Sequence, residues 1–212
     1  NSEWARLRRD MGHPEPFNME FLGIGNEQWE EEYNGVNNKF KERYARFESA
    51  IHEKYPEIKL INTASAFMKD TSNEAIWEDA WNWIYNETNQ NSNFQYAVDE
   101  HYYMTPDWFY ENVDLYDTYN RSVNVFAGEY AARLQADSKA NNPDANTLNT
   151  ALAEAAFMTG FEKNADIVKM ASAAPLFARL NYTQWSPDLI WFDDDKAYGS
   201  PNYYVQKMYG NN

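Results

Sequence analysis

Short apolar runs separated by longer amphipathic stretches recur five times along this chain, and that alternation restricts the folds open to it more than any other feature. The runs are 20–26 (EFLGIGN), 57–62 (EIKLIN), 96–103 (YAVDEHYY), 123–130 (VNVFAGEY) and 166–172 (DIVKMAS), each of strand length. Between them, 36–54 carries Phe40, Tyr44, Phe47 and Ile51 at helical spacing, and 73–86 sets Ile76, Trp77, Ala80, Trp81 and Ile84 on one helical face behind Asn73 as N-cap. Residues 106–119 and 147–164 read as further helices. Strand and helix in regular succession build a parallel sheet, since a right-handed crossover returns each strand beside its predecessor. The expected class is α/β, as a barrel or as a doubly wound sheet. Stretches 139–146 and 181–202, rich in Gly, Asn and Pro, read as loops, and the second is long enough to form a lid over strand ends.

A length of 212 residues with 43% hydrophobic content supports one core rather than two. No apolar run approaches the roughly 18 residues of a membrane-spanning helix, and the mean hydropathy is −0.82, so no membrane partner is expected. The residues after Asn1 show neither the apolar core nor the cleavage site of a signal peptide. A formal charge of −15 repels phosphate backbones, which argues against nucleic acid, and the one basic cluster, Arg6, Arg8 and Arg9, reads as a solvated helix face. With no cysteine, thiolate chemistry and disulfides are excluded. Aromatic residues make up 17% of the chain, more than such a core needs, and flat rings with a polar tip suit stacking on sugars.

Two carboxylates stand out by position. Glu27 follows the glycine-bearing run FLGIGN, and Glu129 closes the run VFAG. In parallel α/β folds functional groups gather at the C-terminal ends of strands. A lone Glu ahead of a helix also serves as a favourable charge at the helix N-terminus. A pair at two strand ends fits glycosidic cleavage, in which one carboxyl protonates the departing oxygen and the other attacks the anomeric carbon. Environment must then separate the two, the acid holding its proton to higher pH than its partner. His101 and Tyr103 lie two apart on one strand and so share a face. Trp29 and Trp185 are candidate sugar platforms. The three histidines, His13, His52 and His101, have no metal-ligand spacing in sequence, so neither a metal nor a cofactor is expected.

At these residues the sequence resembles the glycoside hydrolase family 51 α-L-arabinofuranosidases. The segment GHPEPFNMEFLGIGNEQW, with its Asn26-Glu27 pair, is similar to that family's acid/base segment, and NVFAGEYAA to its nucleophile segment; DEHYY, APLFA and YYVQKMY extend the likeness over nearly all the chain. The resemblance implies a (β/α)8 TIM barrel and retention of configuration, with Glu27 as acid/base and Glu129 as nucleophile. It further implies that Asn26 bonds the sugar hydroxyl beside the anomeric carbon, that Tyr103 orients Glu129, that His101 lines the site, and that the substrate is an arabinose-containing carbohydrate. Five strands are visible where such a barrel has eight, so residues 1–212 are expected to hold only its C-terminal part, strands four to eight. The first three strands and the family's C-terminal β-sandwich are expected to lie outside this chain. The missing barrel half, or a second copy, is the expected protein partner. A xylanase, cellulase or β-galactosidase of the same clan shares the two short motifs, and a non-catalytic carbohydrate-binding module would share the aromatics alone.

Overall fold

The computed structural model describes residues 2–28, 32, 33, 36, 37, 39–63, 74–134 and 143–211. Helix α1 (Glu3–Asp10), capped by the Ser2 hydroxyl, buries none of its residues; Arg6 and Arg9 lie in solvent, and the half-buried Arg8 donates to the His13 carbonyl (3.1 Å). Strand β1 (Phe21–Ile24) follows, then a two-residue pair β2 (Glu32–Tyr33) and β3 (Val36–Asn37) running antiparallel. Helix α2 (Phe40–His52), strand β4 (Lys59–Asn62), helix α3 (Glu74–Gln90) and strand β5 (Ala97–Met104) continue the alternation. Helix α4 (Pro106–Glu111) opens with proline behind a Thr105 cap, an arrangement that leaves no orphan donor at the first position. A 3-10 turn at Leu115–Thr118 leads to strand β6 (Asn124–Ala132). Helix α5 (Leu148–Lys163) starts in a reciprocal Thr147–Thr150 capping box and precedes strand β7 (Val168–Ala173).

Strands β1, β4, β5, β6 and β7 form one sheet in chain order, every neighbour parallel. These are the five runs of the sequence, displaced by at most a few residues. Buried side chains of the sheet, among them Leu60, Val98, Tyr102, Val125 and Tyr130, pack with Tyr44 of α2, Trp81 and Ile84 of α3, and Phe157 and Phe161 of α5 in one core. Phe47, expected on the buried face of α2, is 56% exposed instead. Asn73, the expected cap of α3, lies outside the described residues.

The expected loop at 181–202 carries no regular element up to residue 189 and then enters a second sheet. Strands β8 (Phe177–Arg179), β9 (Ile190–Phe192) and β10 (Ala197–Gly199) make a second, three-stranded sheet, and helix α6 (Pro201–Tyr209) then packs on α5. The strands are three residues long, β8 buries only Ala178 and β10 buries none of its residues, so no apolar period marks them in sequence.

Strand β5 presents two different faces. Val98, Glu100 and Tyr102 point to the helices, while Asp99, His101 and Tyr103 point the other way. Glu100 is fully buried and accepts from Trp77 Nε1 (3.1 Å) and Trp81 Nε1 (2.9 Å) of α3, from the Tyr119 hydroxyl (3.1 Å) and from the Tyr102 hydroxyl. Strand β6 changes face part-way along. Glu100 pairs with Ala127 but His101 with Glu129, which leaves Gly128 as the extra residue of a bulge. Val125 and Ala127 before it, and Tyr130 and Ala132 after it, all enter the core. Without the bulge, strict alternation would bury Glu129.

Candidate active site

All five parallel strands point their C-terminal ends to one edge, and the side chains of interest collect there. Past β1 the chain turns sharply through Gly25 (φ 88°) and Glu27 (φ 48°). A left-handed conformation at a glutamate costs on the order of 1 kcal/mol and persists where neighbours hold it. Here the Gln28 amide donates to Thr63 Oγ1 at the end of β4 (3.2 Å), and Gln28 Oε1 accepts from Arg43 of α2 (2.8 Å). Glu27 is thus fixed by its loop and, among the described residues, is 13 residues ahead of the next helix, while Glu129 sits inside a strand. Neither carboxylate is a helix-terminal charge.

His101 joins the two. Its Nδ1 lies 2.8 Å from Glu27 Oε1 and 3.6 Å from Glu129 Oε2, and its Nε2 lies 3.2 Å from Asp99 Oδ2. The imidazole is 3% exposed, against 43% for the Glu27 side chain and 31% for Glu129. Burial would drive the proton off His101, but the hydrogen bonds to Asp99 and Glu27 and the charges of Asp99 and Glu129 outweigh it and raise its pKa to about 9. The hydrogen bond from that imidazolium in turn holds the Glu27 carboxyl below its usual range, against the upward pull of partial burial. The shift on Glu27 runs opposite to the raised value expected of a proton-holding acid, and in the ligand-free arrangement the proton lies with His101. The Tyr103 hydroxyl donates to Glu129 Oε2 at 2.6 Å; burial, then that carboxylate, push its pKa up, so it remains a donor. Arg133 stacks its guanidinium 5.2 Å from the Tyr103 ring centre and donates to the Tyr103 carbonyl (2.7 Å).

Glu27, Tyr103, Glu129, Arg133 and Trp185 line a cavity of about 570 Å³, closed on one side by Ala174–Pro175 and Ser186–Pro187. Trp185 is 59% exposed there, as a stacking platform requires. Asn26 lies exposed in the turn before Glu27, its carbonyl accepting from the Gln28 side chain (3.2 Å), and is not among the residues lining the cavity. Trp29 lies outside the described residues. His13 lies in an exposed loop against Phe17, away from the cluster. Asp99 and Arg133 escaped the sequence reading. Asp99 was within reach of it, since Asp99, His101 and Tyr103 follow the period of two along DEHYY; Arg133 has no such signal.

One ligand-type atom each from Glu27, His101 and Glu129 lies within 4.8 Å of the other two, the group among the described residues whose geometry suits a metal ion. The sequence spacing points to no metal because the three atoms come from a loop and two strands far apart in the chain.

The family model described as the alpha-L-arabinofuranosidase 1 domain matches residues 1–121, and that of the alpha-L-arabinofuranosidase C-terminal domain matches residues 128–212. The chain belongs to the α-L-arabinofuranosidase family. Within that family it is 39% identical to an extracellular exo-α-L-arabinofuranosidase of Streptomyces chartreusis over 212 residues, 100% of this chain and 22% of the relative. It is 35% identical to α-L-arabinofuranosidase 2 of Arabidopsis thaliana over 209 residues, 99% of this chain and 26% of the relative. The solved structure of an arabinose-bound GH51 α-L-arabinofuranosidase, MgGH51, matches with a TM-score of 0.73 at 33% identity, covering 100% of this chain and 31% of that one. The chain therefore spans less than a third of each of these family members. The boundary between the two family models falls inside the parallel sheet, at or within β6.

Proposed function

We propose that this chain carries the catalytic pair of a retaining α-L-arabinofuranosidase, acting on arabinose-containing polysaccharides or oligosaccharides, with Glu129 as nucleophile and Glu27 as acid/base. The observation that carries the reading is the approach of the two glutamates, with an oxygen of each within 4.8 Å of the other, in a cavity with an exposed tryptophan. Retaining glycosidases hold their carboxyl groups about 5–5.5 Å apart, and inverting enzymes leave room for a water between them. Family membership and the named relatives supply the sugar.

The Glu129 carboxylate attacks the anomeric carbon as the glycosidic bond breaks, and Glu27 gives its proton to the departing oxygen. Glu27 then takes a proton from a water that attacks the same carbon, freeing Glu129 and an arabinose of unchanged configuration. Glu27 and His101 share one proton across 2.8 Å. A sugar that strips water from the exposed side of Glu27 disfavours the ion pair and favours neutral imidazole beside carboxylic acid, which arms the acid on substrate entry. Tyr103 holds Glu129 in place and withdraws charge from the oxygen it touches.

Three steps along a flat sheet would separate β1 from β6 by about 14 Å. The close approach of their carboxylates supports a sheet curved as part of a (β/α)8 barrel, in which residues 1–212 are strands four to eight. The remaining strands, from the rest of the polypeptide or another copy, would complete the sugar pocket.

A mechanism-based arabinofuranosyl label on the full-length polypeptide tests the pair. It is expected on Glu129, and mapping to another residue in active protein removes Glu129 from the role. Glu27→Ala is expected to spare activated aryl arabinofuranosides far more than poor leaving groups, and to be rescued by azide. Turnover of aryl xylosides or galactosides in preference would replace the sugar assignment and leave the pair intact.

A further inference from the structure

We infer that the same three side chains form a binding site for a borderline divalent transition ion, Zn²⁺ or Co²⁺, which excludes the sugar when bound. The inference rests on the placement of Glu27 and Glu129 argued above, and it does not require arabinofuranosidase activity. A tetrahedral ion with bonds of about 2.0–2.2 Å holds its ligand atoms about 3.4 Å apart. His101 Nδ1 stands 2.8 Å from Glu27 Oε1 and 3.6 Å from Glu129 Oε2, and all three ligand-type atoms lie within 4.8 Å of one another. Tenths of an ångström in the Glu27 rotamer and a modest swing of Glu129 bring these spacings to the tetrahedral value. The fourth position faces the cavity and is left for water.

The outer partners are also those of a metal site. A ligating histidine usually gives its second ring N–H to a carboxylate, which fixes the tautomer and aims the other nitrogen at the metal. Asp99 Oδ2 stands 3.2 Å from His101 Nε2 in that role. The Tyr103 hydroxyl, 2.6 Å from Glu129 Oε2, orients one of the carboxylates in the same way. One imidazole and two carboxylates favour Zn²⁺ or Co²⁺ over Ca²⁺ and Mg²⁺, which prefer more oxygen ligands. The ion replaces the proton on His101 Nδ1, so each ion bound releases that proton to solvent. Metal and sugar cannot bind together, since the ion ties up both glutamates.

The test is titration of metal-free full-length protein with Co²⁺, read by its visible absorption, and with Zn²⁺, read by calorimetry. The expected result is the intense spectrum of tetrahedral Co²⁺, lost in His101→Asn, Glu27→Gln and Glu129→Gln, retained in His13→Asn, and weakened about 10- to 100-fold in Asp99→Asn. Arabinose is expected to raise the apparent Kd for Co²⁺, and Zn²⁺ to inhibit aryl arabinofuranoside hydrolysis competitively. An unchanged spectrum in His101→Asn, or no tetrahedral spectrum in wild-type protein shown to be folded, overturns the inference. A protein that binds Co²⁺ as described yet hydrolyses no arabinofuranoside would sink the proposed function and leave the metal site standing.

Discussion

A methyl group on Gly128 would stand 2.0 Å from Asp99 Oδ1. Gly128 is also the bulge that turns Glu129 from the core into the cavity, so two demands meet at one backbone position. Gly128→Ala is expected to push Asp99 off His101 and to lower kcat by at least about tenfold, the effect of misplacing a catalytic group by a fraction of an ångström; kcat near the wild-type value would show that the strand relaxes around the methyl. Tyr103→Phe removes a hydrogen bond to a charged oxygen, in the class of about 1.5–3 kcal/mol, so kcat/KM should fall roughly 10- to 100-fold with little change in fold by circular dichroism. His101 gives a pH signature. Its folded pKa, about 9, exceeds the unfolded value, so its contribution is complete below pH 6.5 and is lost as pH rises to about 9. Wild-type Tm should therefore decline across that window, and His101→Asn should decline less. Glu129 lies inside β6 and stood out only as the carboxylate beside a strand glycine, whereas Glu27 was legible from its place just past a strand and His101 and Tyr103 from strand parity. The bulge was not, since a glycine in a strand only hints at one, and the proton's place on His101 depends on an aspartate brought alongside it by the fold.

Glu100 ties strand β5 to helix α3. Its carboxylate gathers indole donors from α3 and hydroxyls from β5 and the turn before β6, all in the core, with burial raising its pKa and the four donors opposing that rise. Replacement by Leu would strand at least two buried donors at about 1–3 kcal/mol each, so a loss on the order of 4 kcal/mol is expected by urea unfolding. A change within about 0.5 kcal/mol would mean that the four donors find other acceptors. The elements that the sequence disclosed are those with a buried face: the five strands, α2, α3 and α5. The small sheet β8–β10 carries no comparable signal, because it is short and half-solvated. The carboxylate of Glu100 read as polar in an apolar run, and only its neighbours from three segments reveal why it is inside.

Within the described residues β1 and β7 are the two edges of the parallel sheet, and the segment ahead of β1 exposes Trp4, Leu7, Met11, Phe17 and Met19. Unpaired edges and uncovered apolar side chains call for a neighbour. Residues 1–212 expressed alone are expected to self-associate in analytical ultracentrifugation and to hydrolyse aryl arabinofuranosides far more slowly than the full-length polypeptide. A monomer with comparable turnover would refute the incomplete-barrel reading. The register of β5 against β6 also limits how this sheet can vary. A one-residue insertion in β6 ahead of the bulge would keep both glutamates in the chain and turn one of them inward, so the two strands are free to change only together.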